Sequence, residues 1–555
     1  MRLLAVLVLA TAGTDGDLPH YRDVAAEAGM IEANVFGSSP KKFITETTGS
    51  GAAFLDYDLD GDMDVYLVNG RTREQHEKGE TGPPDRLYRN VGGTGFVEVA
   101  GLAGVAETGW GGGAAAADYD NDGDPDLLVT NIGGRTFYRN NGDGTFTDRT
   151  NEAGLEDDRW SASAAFGDID GDGFLDLYVT HYISWDPRLL DGLNVDFCRY
   201  RNVPVLCGPR GLPGEADALF LNQRDRTFRD VTRSAGVENG EGRGLGVAFF
   251  DFDDDGDEDI FVANDSTANF LYRNDGSGRF EDLALLAGVA YSAFGNEQSG
   301  MGADAGDYDE DGKPDLVVTN FQGDYNALRR NLGTGVFADV SHAAGVAASS
   351  LDRLGWGVKL ADCNNDGYLD LFVVNGHIYP EIDAAGIGES YAQRAQVLLN
   401  VDFGPARKFE DVSARAGPAL ETPRPSRGLA AGDFDDDGDM DFVANNMNEL
   451  PALFRDDASH RNGWVRLALI GRSVNRDAMG ARIAYEAGGR RHHRRAGSLW
   501  SYLSTSDPRL LLGLGSSAGA EGVEIRFRKR ETPLALGSIG SGEDVVVLEG
   551  AGRVR

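Results

Sequence analysis

Apolar residues along this chain come in short runs, each fenced by Gly, Asp and Asn. Small Gly-rich apolar stretches, such as Gly111 to Ala117 and Gly244 to Phe250, precede an acidic phrase. Branched or aromatic runs, such as Leu127-Leu128-Val129 and Ile260-Phe261-Val262, follow it. Next comes Leu-Tyr-Arg-Asn, as at Leu87 to Asn90 and Leu271 to Asn274, or its variant Leu398-Leu399-Asn400. Then comes Phe-x-Asp/Glu-Val, as at Phe228 to Val231 and Phe409 to Val412, usually with an Ala-Gly pair behind it. Runs this short, bounded by turn residues, read as strands. Four strands per repeating unit predict the blade of a β-propeller.

The unit recurs seven times, which predicts an all-β chain with a seven-bladed propeller over 20–457 and a small β-rich domain over 461–551. The last unit lacks its own Phe-x-Asp-Val strand. The missing piece stands near the N-terminus as Tyr21-Arg22-Asp23-Val24, so that strand is expected to complete the last blade and close the ring.

The acidic phrase reads Asp-x-Asp-x-Asp-Gly-x-x-Asp, with carboxylates at positions one, three, five and nine. Its copies hold Asp56, Asp58, Asp60 and Asp64; Asp118, Asp120, Asp122 and Asp126; Asp168, Asp170, Asp172 and Asp176; and Asp251, Asp253, Asp255 and Asp259. The remaining copies hold Asp307, Asp309, Asp311 and Asp315; Asp362, Asn364, Asp366 and Asp370; and Asp433, Asp435, Asp437 and Asp441. Alternate aspartates in a tight loop converge on one hard cation, and glycine at position six permits the turn, as in the EF-hand. Calcium fits this all-oxygen set better than magnesium, which keeps its waters, so up to seven Ca²⁺ ions are expected. Neutral Asn364 marks the sixth site as the weakest. An EF-hand would need Glu at position twelve. Here that position is Leu67, Val129, Val179, Val262, Val318, Val373 or Ala444.

The net charge is −38, which excludes a nucleic-acid binder and calls for bound cations. From residue 461 onward the balance reverses to 16 basic and 9 acidic residues, so a basic module able to dock on an acidic ring follows it. The run Arg490-Arg491-His492-His493-Arg494-Arg495 within it reads as a solvated strand-loop segment.

Met1-Arg2, the apolar run Leu3 to Ala10 and Ala10-x-Ala12 resemble a secretory signal peptide over 1–13, which places the protein outside the cytoplasm: secreted, periplasmic or on the cell surface. No segment is long enough to span a membrane. Cys198 and Cys207 are close enough to bridge in an oxidising compartment, with Cys363 left over; three free thiols are the alternative.

These loops, the Leu-Tyr-Arg-Asn phrase and the Phe-x-Asp-Val strand resemble FG-GAP/VCBS-repeat propellers. The stretch from Asn475 to Arg482, followed by Ser501 to Arg509 and Leu512-Gly513-Leu514-Gly515, resembles the ASPIC/UnbV domain that follows such propellers. The family's Trp-Pro-x-Gly turn is replaced here by Phe527-Arg528-Lys529-Arg530. The resemblance implies an extracellular calcium-binding protein and supplies no catalytic set. A recognition or adhesion scaffold for protein or glycan is the leading expectation; a polysaccharide-active lyase or hydrolase, or a lectin, is the alternative. Strand order puts long connectors, from Gly70, His181 and Gly376, on the face opposite the acidic loops. That face is expected to carry the ligand, with His181, Trp185, Asn264, Asp265, His377 and Tyr379 as candidates.

Overall fold

The computed structural model describes residues 18–39, 41–184, 198–402, 407–458, 461–497, 499–528 and 532–554. The signal-peptide reading over 1–13, Trp185 and the pair Lys529-Arg530 lie outside the described residues.

The chain is all-β, and its repeats fold as four-stranded antiparallel sheets. Blade 1 holds Ala52–Leu55, Asp64–Leu67, Arg86–Asn90 and Phe96–Glu98; blade 4 holds Gly244–Phe250, Asp259–Asn264, Phe270–Asn274 and Phe280–Asp282. Blades 2, 3, 5 and 6 repeat this order, beginning at Gly111–Ala117, Ser161–Gly167, Gly300–Gly306 and Gly355–Ala361. Blade 7 combines Ser426–Gly432, Asp441–Asn446 and Ala452–Asp456 with the N-terminal strand Tyr21–Asp23, which pairs antiparallel with Ala452–Asp456. The first strands of successive blades pack on one another, and that of blade 7 packs on that of blade 1, so the ring closes.

Composition explains the layering. First strands are innermost and crowded, which is why they are built of Gly and Ala: a Cβ on Gly246 would lie 2.3 Å from the Met301 carbonyl oxygen, and one on Gly357 2.3 Å from Leu429 Cβ. Second strands are buried along their whole length, so they read as continuous apolar runs. Fourth strands are edges, with only their Phe buried. Apolar clusters fill the spaces between blades.

After the ring come two further four-stranded sheets, drawn from Gly463–Ile470 through Gly552–Arg553, with a separate core around Val465, Tyr485, Leu512 and Val523. One piece of this region leaves its own sheets. Trp500–Ser501 and Ser504–Thr505 form a hairpin that joins the blade 1 sheet, pairing at Ala53–Thr505. It bonds to the first strands of several blades. The amide N–H groups of Ala52, Val358 and Ala431 donate to Ser504 Oγ (3.1 Å), Ser501 Oγ (3.0 Å) and Ser506 Oγ (3.1 Å). The Ala114 N–H donates to the Leu503 carbonyl, and the Leu503 N–H to Ser163 Oγ. Tyr502 is fully buried among Trp110, Trp160, Trp356 and Met301, and its hydroxyl donates to the Thr48 carbonyl. The hairpin therefore occupies the axis of the ring.

Candidate functional site

Each acidic loop joins the first and second strands of its blade. Position six takes a left-handed backbone in all seven copies, with φ between +86° at Gly438 and +104° at Gly123, which is why it is glycine. Position four is left-handed too, at Leu59, Asn121, Gly171, Asp254, Glu310, Asn365 and Asp436. Position twelve lies in the second strand, and no helix flanks the loops, so the geometry is not that of an EF-hand.

The position-one carboxylate accepts the position-six amide through Oδ2 in every loop, from Gly312 to Asp307 at 2.7 Å and from Gly173 to Asp168 at 3.2 Å at the extremes. The position-nine carboxylate bridges the strands. Asp259, for example, accepts the Phe252 N–H at 3.0 Å and the Asn274 N–H at 2.8 Å. Carboxylates of the first five loops lie close enough to share an ion: Asp56, Asp58 and Asp64; Asp118, Asp120 and Asp122; Asp168, Asp170 and Asp176; Asp251, Asp253 and Asp255; Asp307, Asp309 and Asp311.

Buried carboxylate oxygens with no hydrogen-bond partner point to a cation. They include one each on Asp56, Asp126, Asp251, Asp253, Asp309, Asp433 and Asp435, and Asp126, Asp251 and Asp433 are almost wholly buried. Without a cation, burial pushes Asp64, Asp118, Asp307 and Asp362 up to about 8 and Asp259 up to about 9. The residues fit a hard divalent ion: all-oxygen donors, preformed turns and carboxylates costly to leave alone.

The Asn of the Leu-Tyr-Arg-Asn phrase proves to be a clip between blades. Asn274 Nδ2 donates to the Ile169 carbonyl of the preceding loop at 2.6 Å, and Asn331 to that of Phe252 at 2.8 Å. Asn90, Asn140, Asn222 and Asn400 repeat the contact. In blade 7 the position is Asp456, which instead accepts the His20 N–H beside the incoming N-terminal strand.

The C-terminal sheets sit over the loops. Arg466 reaches Asp433 and Asp436, both at 2.6 Å, and Arg509 reaches Asp436 at 2.9 Å. Arg482 pairs with Asp251 and Asp254, Arg494 with Glu310 at 2.9 Å, and Arg495 with Glu258 at 3.3 Å. The run Arg490–Arg495 is thus corrected: it is a strand whose alternate members His492 and Arg494 are buried against the ring, because the acidic loops supply the counter-charge. Among the described residues, cavities between cap and ring include one of ≈ 350 Å³ near Leu360, Met440 and Arg494 and one of ≈ 600 Å³ over Asp56 and Leu59.

On the opposite face a disulfide joins Cys198 and Cys207, with their Cα atoms 5.2 Å apart; Cys363 is buried and takes no part in that bridge. The hairpin within that bridge packs Tyr200 on His377 and Tyr379, ring centroids 5.1 and 5.6 Å apart, so connectors of blades 3 and 6 meet. The described candidate side chains here are mostly internal. His181 is fully buried with Nε2 3.1 Å from Asp157, and burial lowers it to about 4. Asn264 and His377 are fully buried and Tyr379 nearly so. Half-buried Asp265 accepts the Tyr182 hydroxyl at 2.6 Å. The described parts of these connectors fold back on their own scaffold, where His181 Nδ1, Asn264 Oδ1 and His377 Nε2 are buried without a hydrogen-bond partner.

The chain is a propeller whose repeats share Asp-rich loops. FG-GAP-like repeats match residues 56–129, 118–179, 251–318 and 307–373, and an ASPIC and UnbV domain matches residues 471–547. Among curated proteins it is similar to cartilage acidic protein 1 of Homo sapiens, 28% identical over 341 residues that make up 60% of this chain and 48% of that protein. The Mus musculus protein is likewise 28% identical, over 56% of this chain and 46% of its own. The chain thus spans about half the length of the curated relatives it matches. Solved structures of similar fold include an Agrocybe aegerita lectin recognising non-reducing terminal N-acetylglucosamine (16% identity, TM-score 0.36, 68% of this chain and 85% of that one). A Bacillus licheniformis rhamnogalacturonan lyase is another (13% identity, TM-score 0.36, 78% and 75%). No described helix is long and apolar enough to cross a membrane.

Proposed function

We propose that the protein is a calcium-binding scaffold that works outside the cytoplasm and recognises a protein or glycan with the face away from its C-terminal cap. The observation that carries the calcium reading is the set of buried carboxylate oxygens with no hydrogen-bond partner, which recur at position three of the first, second, fourth, fifth and seventh loops (Asp58, Asp120, Asp253, Asp309 and Asp435). Each loop would hold one ion through positions one, three, five and nine, with Asn364 offering an amide oxygen in the sixth. The ion would supply charge neutralisation and cross-linking of the first two strands of each blade. The disulfide supports an oxidising compartment.

The recognition face follows by position. The cap covers the acidic loops and its hairpin fills the axis, leaving the connectors beyond the other ends of the strands as the open end of the ring. Binding of calcium to the native state stabilises it by mass action. Thermal melting of the full chain in chelator and in millimolar calcium tests the reading: the melting temperature rises with calcium, and an unchanged value would refute it.

A further inference from the structure

We propose that five arginines of the C-terminal domain are positioning residues for the metal loops. They are Arg476, Arg528, Arg482, Arg494 and Arg466, each holding the outer oxygen of a position-one aspartate so that its other oxygen is presented to the ion. The proposal rests on the calcium reading above.

One geometric regularity carries it. Arg476 lies 3.6 Å from Asp118, Arg528 3.6 Å from Asp168, Arg494 3.8 Å from Asp362 and Arg466 2.6 Å from Asp433, and Arg482 pairs with Asp251. In all five the arginine meets Oδ2, the same oxygen that accepts the position-six glycine amide. The other oxygen, Oδ1, accepts the position-five amide at Asp118, Asp168 and Asp362 and is buried without a hydrogen-bond partner at Asp251 and Asp433. Arginine and ion would therefore share one carboxylate from its two sides.

The arginines are themselves steered. Arg466 Nε donates to Asp544 at 2.6 Å, Arg494 donates to the Gly367 carbonyl at 2.8 Å, and Arg528 Nε to the Gly256 carbonyl at 3.2 Å. Among the described residues, no such arginine reaches Asp56 of the first loop or Asp307 of the fifth, which makes those two loops internal controls.

Two effects oppose each other. A guanidinium repels a nearby cation, but it also fixes the carboxylate and compensates its burial. In three of these loops a second arginine meets the set, Arg226 at Asp120, Arg224 at Asp172 and Arg455 at Asp435, but the carboxylates still outnumber the arginines, so the ion's net attraction survives and the orienting effect decides the sign. Outer-shell partners of metal ligands are commonly worth 10–100-fold in affinity. Coupling is reciprocal, so calcium should also tighten the seating of the cap.

The test uses the full chain and calcium alone as probe, with titration calorimetry on Arg466→Gln, Arg482→Gln and Arg476→Gln. Arg476 is the most exposed of the three, so its variant is the one least able to disturb folding. One site should weaken about tenfold or more in each variant while the others keep their affinity. Proteolytic protection of residues 461–554 in the wild type should fall on chelation. Unchanged or tightened binding at every site in Arg476→Gln would overturn the proposal, as would protection indifferent to chelator. A wild-type chain that binds no calcium would instead sink the calcium reading itself.

Discussion

At the residue scale, the buried asparagine clips matter as much as the acidic loops. Asn274 is almost fully buried; its amide donates to two carbonyls and accepts the Gly276 and Gly278 amides. Replacing it with alanine leaves those groups unpaired, at about 1–3 kcal/mol for a buried polar group. Urea unfolding of Asn274→Ala should show a loss of at least that size; a variant as stable as the parent would remove the clip from the account. The loops also set a pH dependence. Asp64, Asp118, Asp307 and Asp362, raised to about 8, and Asp259, raised to about 9, bind more protons folded than unfolded. Their stabilising effect is present at low pH and is lost as pH rises through those values. Buried Lys41, lowered to about 7, acts in the opposite sense, but it is one group against many. Chelated protein should therefore melt lower at pH 9 than at pH 6.5, and saturating calcium should narrow the gap. A chelated protein that melts higher at pH 9 would contradict this.

At the element scale, two strands far apart in sequence hold the ring. Tyr21–Asp23 closes blade 7, and Tyr21 packs edge-on against Phe372 and Phe442. Removing residues 18–30 should expose the edge of Ala452–Asp456 and cause aggregation or a lower melting point; a truncated chain that melts like the parent would show the closure to be dispensable. The axial hairpin is the second. Tyr502→Ala would empty a fully buried aromatic site, at about 3–5 kcal/mol, read by calorimetry; a cost below about 1 kcal/mol would mean the axis is not a packed core. These elements differed in legibility. The closing strand was readable because it repeats the Phe-x-Asp-Val pattern with Tyr in place of Phe. The hairpin was not: Ser501 to Ser506 has no periodicity of its own, and its hydroxyls make sense only against strand edges 75 to 452 residues earlier.

At the scale of the whole molecule, what could be read from sequence was what is local. Each loop gathers its carboxylates within nine residues, so ligand set and turn glycine stand together in the chain. The docking of the cap is not local. Arg482 and Asp251 are 231 residues apart, and only the reversal of charge after residue 461 foretold that the two regions attract. The opposite face shows a related limit, since unusual residues in long connectors, such as His181 and His377, lie against partners inside the protein. Ring, cap and hairpin become one body if the acidic loops are neutralised by cations. The most direct test counts them, by native mass spectrometry of the full chain titrated with calcium. The account predicts successive binding up to seven ions, the last and weakest lost on substituting Asn364. A mass that stays that of the metal-free chain at millimolar calcium would contradict it.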